Sequence, residues 1–195
     1  MKPATLDAYE NKARTLEFSA AQKDIRFSFL NGGPGALVSA AVWLAAALVT
    51  AYAGVELGFP VLFFGGMFIF PLGALITRTI LKRPGPLTGN PGSRIAFETV
   101  PPMIVTLFVA YLFVRNQPEY VFPISAMAVG SHYCGFRSAY GLPSYWVIAA
   151  IMTGLGFLSL SAFQLPENWM LPALIAAVEA VFGVWWTWSS FKNDS

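Results

Sequence analysis

The amino-acid sequence predicts an all-α polytopic membrane protein, a six-transmembrane-helix bundle preceded by an interfacial amphipathic helix. Of 195 residues, 56% are hydrophobic and 11% charged, with a mean hydropathy of +0.59. Soluble domains carry about a quarter charged residues, which helps to cover an apolar core with polar surface. Twelve Lys plus Arg and ten Asp plus Glu are too few to do that here. The apolar residues also fall in six stretches near membrane-spanning length, and the basic residues fall almost wholly on one side of them.

The first element covers residues 1–30. From Thr5 to Leu30, apolar Leu6, Tyr9, Ala13, Leu16 and Ala20 recur at helical steps, and Glu10 and Arg14 stand at the i, i+4 pairing distance. Phe18, Ile25, Phe27 and Phe29 widen the apolar side toward the first span. Such a helix is expected to lie along the inner membrane surface, its basic residues near anionic headgroups. Acids and bases are mixed here without a continuous apolar core, which is not the pattern of a cleavable signal peptide. Asn31-Gly32-Gly33-Pro34-Gly35 follows. Glycine permits a sharp change of direction and proline suits a first helical turn, so a hinge into the bundle is expected. The sharper alternative is an anion held by the bare amides at the helix start. No P-loop or dinucleotide fingerprint accompanies the motif.

The transmembrane domain then occupies 31–195. A spanning helix needs about 20 mostly apolar residues, at about 1.5 Å rise each, to cross roughly 30 Å. The spans are expected at about Gly35–Gly54, Phe59–Leu81, Ile95–Val114, Tyr120–Ser138, Ser144–Phe163 and Met170–Ser189. Turn-like breaks separate them at 55–58, 115–119, 141–143 and 164–168, and the proline- and glycine-rich stretch 82–94 reads as the longest loop. The stretches are apolar all round, as lipid-facing helices are and barrel strands are not. The fourth holds Ser131, His132 and Arg137, so a shorter or re-entrant segment is the alternative there. Phe59-Pro60, Phe122-Pro123 and Leu171-Pro172 each open an even-numbered span, a weak hint of three tandem hairpins.

Orientation follows from the cations. Lys2, Lys12, Arg14, Lys23, Arg26, Arg78, Lys82, Arg83, Arg94, Arg137 and Lys192 share one side, and Arg115 stands alone on the other. The positive-inside rule then expects both termini in the cytoplasm. Trp146, Trp185, Trp186 and Trp188 near inner ends and Trp169 at an outer end fit an aromatic belt.

Three groups of residues carry a resemblance. Ala21-Gln22-Lys23-Asp24-Ile25-Arg26 is followed by Asn31 to Ser39 and Val42-Trp43-Leu44; Val61 to Met67 precedes Ile69-Phe70-Pro71-Leu72; Leu142 to Trp146 comes later. Together they resemble an uncharacterised family of small bacterial multi-pass membrane proteins, from Ala20 to the carboxyl terminus. The resemblance implies a multi-pass protein of the bacterial inner membrane and transfers no catalytic residue.

Ionisable side chains within a bilayer cost about 2.5–3.5 kcal/mol on insertion scales and are functional candidates by default. Glu179 falls near the middle of the sixth span, on a stripe with Ala176, Ala180 and Gly183, and is expected to face the bundle interior, protonated if unpaired. Glu98, His132 and Arg137 fall in the cytoplasmic half of their spans. One cytoplasm-facing polar pocket built from Glu98, His132, Arg137 and Glu179 is the functional expectation. The bland one is that Glu98 pairs with Arg137 or Arg78 while His132 and Glu179 make interhelical hydrogen bonds.

One histidine excludes a three-histidine hydrolase site, and one cysteine, Cys134, excludes a cysteine-clustered metal site. Ser131 and His132 are adjacent on one helix and point apart, so they form no dyad. No catalytic, cofactor-binding or metal residue is therefore assigned, and no cofactor or nucleic-acid partner is expected. Two functional expectations remain: a small transporter or channel-like protein with an ion or small-molecule ligand, or a non-catalytic protein that binds anionic lipid or a partner through its basic inner face. Either is compatible with a homo-oligomer.

Overall fold

The computed structural model describes residues 18–161 and 165–194. The part of the predicted amphipathic helix before residue 18, and the end of the fifth predicted span, lie outside the described residues. Helix α1 (18–29) runs through a three-residue turn, Leu30–Gly32, into α2 (Gly33–Ala53). There follow α3 (Val55–Leu75, ending in a π-helical turn Ile76–Ile80), α4 (Pro91–Glu98), α5 (Val100–Leu112), α6 (Val121–Tyr140), α7 (Ser144–Ser161) and α8 (Met170–Asp194). Among the described residues there is no strand.

The helices close into a ring. α2 packs along α3 and α8, and α6 packs along α7 and α5. Aromatic pairs Phe59–Tyr111 and Phe63–Phe108, with centroids 6.3 and 5.4 Å apart, join α3 to α5. α7 packs chiefly on α6, and α8 chiefly on α2, so the last two helices do not repeat the tight hairpin of α2 and α3. Trp43, Phe122, Tyr145, Ile148, Met152, Ile175 and Trp186 are buried where these faces meet. Phe64, Phe68, Phe108, Leu112, Phe157 and Val181 point outward, apolar and exposed, as a hydrocarbon solvent requires. Among the described residues, five helical segments are long and apolar enough to cross a membrane, and the chain is a multi-pass membrane protein.

The sixth helix of the bundle, α6, is less apolar, and its environment explains why. Ser125, Ala126, Gly130 and Tyr133 are buried against other helices, so part of its polar surface meets protein rather than lipid, while Ser131 and Ser138 are exposed. It is neither short nor re-entrant: twenty residues give about 30 Å of helix.

Three boundaries differ from expectation. The predicted loop 82–94 ends at Asn90, whose side chain accepts from the Gly92 amide and starts α4 at Pro91. The predicted turn at 55–58 is helical, because Gly54 reverses the chain alone with φ 83° and ψ 171°, a conformation open to glycine. The third span is broken at Thr99, since Pro101 and Pro102 have no amide to donate to the carbonyls of Phe97 and Glu98.

Candidate functional site

Glu179 is fully buried in the middle of α8. Small residues bring it there. A methyl group on Gly183 would meet Leu37 and the Gly33 carbonyl, and one on Gly33 would meet Thr187 and the Gly183 carbonyl, so α2 and α8 cross almost backbone to backbone. From α6, the Tyr133 hydroxyl donates to Glu179 Oε1 at 2.7 Å. From α2, the buried hydroxyl of Ser39 adjoins both Glu179 and Tyr133. Oε2 has no hydrogen-bond partner. Three helices thus supply one polar cluster.

An aromatic wall seals it. Tyr133 stacks on Tyr145 at 6.0 Å, and Tyr145 lies 4.2 Å from Trp186, between ring centroids. Tyr145 donates to the Asn31 carbonyl at 2.7 Å, and the Trp186 indole donates to Ser144 Oγ at 2.9 Å. The Asn31-Gly32-Gly33-Pro34-Gly35 turn is therefore roofed by side chains: Asn31 and Pro34 are buried, Asn31 Nδ2 donates to the Trp186 carbonyl and Ser189 Oγ at 3.3 Å, and the Tyr145 hydroxyl occupies the space beside Gly32. Left-handed Leu30, Asn31 and Gly32, at φ 47°, 57° and 86°, carry the change of direction. The amide end of α2 faces this packing, not open solvent.

The other candidates lie elsewhere. His132 precedes Tyr133 on α6 and so points to a different side, where its Nδ1 is 2.6 Å from the Thr99 hydroxyl at the α4–α5 break. Gly135, one turn on, leaves the room that Thr99 fills. Glu98 is exposed and pairs with Arg94 on its own helix at 2.8 Å, rather than with Arg137 or Arg78. Arg137 is half-buried at the end of α6. The four residues expected in one pocket thus lie in separate surroundings; on α6, neighbouring positions point about 100° apart, so His132 turns away from the face that carries Tyr133 to Glu179. A small cleft of about 30 Å³ opens at the opposite end of the bundle, lined by Glu119, Tyr120, Ser159, Glu167 and Asn168 among others.

The basic end of the molecule is built by α1. Gln22 Nε2 donates to the Ser138 carbonyl at 2.8 Å and Arg26 Nη1 to that of Tyr140, which caps the last turn of α6 from outside. Asp24 accepts from the Leu87 amide at 2.9 Å and from Asn90 Nδ2 at 2.6 Å, which ties α1 to the α3–α4 connection. Arg83 stacks over Phe27 and Phe191, at 4.5 and 5.6 Å. Exposed Lys23, Arg78, Lys82 and Arg94 consequently share one end with exposed Trp146, Trp185 and Trp188. Exposed Glu56, Arg115, Glu119 and Glu167 mark the other end.

Sequence reasoning passed over Ser39, Thr99, Gln22 and the partnership of Tyr133 with Glu179. Ser39 was open to detection, since Ala36, Ser39, Ala40, Trp43, Ala46, Ala47 and Thr50 form a buried helical stripe. Tyr133 shares a similar stripe with Ala126 and Gly130. A family model described as "Family of unknown function (DUF7010)" matches residues 18–189. No curated protein and no solved structure matches significantly.

Proposed function

The chain belongs to this family of unknown function, and from its geometry we propose that it is a non-catalytic multi-pass protein of the bacterial inner membrane whose basic end binds anionic lipid headgroups. One observation carries the reading: cations from α1, the α3–α4 connection and α4 are gathered at a single end and flanked by exposed tryptophans, while the bundle interior is closed. Juxtamembrane Lys and Arg gain about 1 kcal/mol each beside an anionic surface, and tryptophan rings settle at headgroup depth. The positive-inside rule supports a cytoplasmic position for this end and for both termini.

The test is thermal unfolding in bicelles with and without phosphatidylglycerol. Wild type is expected to gain several degrees from the anionic lipid at low salt and to lose the gain at high salt. Replacing Arg78 and Lys82 by glutamine is expected to remove most of it. An equal gain in wild type and variant would remove the basis of the proposal.

A transporter is the second reading, favoured by the mid-membrane carboxyl alone. It requires opening of the α2–α6–α8 contact to reach Glu179. Unchanged flux of every assayed ion and solute in Glu179→Gln would count against it.

A further inference from the structure

We propose that Glu179 is a proton-binding site in the middle of the bundle, its proton carried on Oε2. The inference stands apart from the lipid reading and rests on the hydrogen-bonding geometry of the cluster. Glu179 has no exposed surface, and Tyr133 gives Oε1 one donor at 2.7 Å. Oε2 receives none. As a carboxylate, Glu179 would leave a charged acceptor unpartnered in an apolar interior, at a cost of several kcal/mol.

The groups that face it offer no compensating charge. α6 presents Tyr133, and α7 presents Tyr145, stacked behind Tyr133. α2 presents Ser39, which is neutral. On α8, Lys192 lies at the far end of the helix and its ammonium sits over Trp188. Among the described residues no cation forms an ion pair with Glu179.

The neutral acid resolves the mismatch. Oε1 becomes the carbonyl oxygen that accepts from Tyr133, and Oε2 carries the proton as a neutral hydroxyl, which costs far less to bury without a partner than a charge does. Tyr133 and Glu179 stay hydrogen-bonded across α6 and α8, and the site's ligand is the proton itself.

Infrared spectra of the protein in lipid bilayers at neutral pH test this. The spectrum of wild type minus that of Glu179→Gln is expected to contain the carbonyl stretch of a protonated carboxylic acid; carboxylate bands in its place, or no acid band, would overturn the proposal. Should Glu179→Gln fail to fold, Tyr133→Phe supplies the second measurement. Loss of the hydrogen bond to Oε1 is expected to move the acid band to higher wavenumber, and an unmoved or absent band is the contrary result.

Discussion

At the scale of single residues, burial separates glycines whose size is required from those whose size is not. Gly183 lies against Leu37 and the Gly33 carbonyl, whereas a methyl group on Gly154 would enter open space. Gly183→Leu is therefore expected to separate α8 from α2 and to cost about 1–3 kcal/mol, as overpacking does. Gly154→Leu should leave the unfolding temperature in lipid almost unchanged, and equal effects of the two would contradict the packing described here. Tyr133→Phe removes one interhelical hydrogen bond and is expected to cost about 0.6–1.7 kcal/mol, the range found for such bonds in membrane helices. Sequence alone marked Glu179 as inward-facing, because it shares a stripe with Ala176 and Gly183. It did not mark Glu98 as surface-paired, since a residue one turn into an apolar stretch reads the same whether or not its helix breaks at the next position.

At the scale of elements, α1 does what the membrane solvent cannot. The last carbonyls of α6 have no intrahelical donors, and Gly141, left-handed at φ 70°, turns the chain away after returning one amide to Arg137. Gln22 and Arg26 supply two more donors across the helix boundary. Replacing both by alanine is expected to cost about 1–2 kcal/mol. It should also raise amide exchange at 137–141 and at 87–92 together, because Asp24 on the same helix holds the latter segment. Faster exchange at neither segment would show that α1 does not hold this end. The sequence predicts a helix through 18–29; that its polar side serves another helix depends on where the chain brings α6.

At the scale of the whole molecule, charge asymmetry and bundle geometry agree, and the agreement makes a topological prediction. In a Cys134→Ala background, a cysteine at exposed Gln117 is expected to react with a membrane-impermeant maleimide on intact cells, and one at exposed Leu87 only after the cells are opened. The reverse pattern would invert the orientation. The sequence by itself determined the solvent, the approximate spans and the clustering of cations at alternate connections, because hydropathy and charge are properties each residue brings with it wherever it lies. Only the tertiary structure decided which polar groups meet. Tyr133 and His132 are neighbours in the chain, yet one reaches Glu179 and the other Thr99, and Glu98 reaches neither. Such meetings depend on helix rotation and crossing, which are set by the mutual fit of faces such as Gly33 against Gly183 and not by the polarity of either.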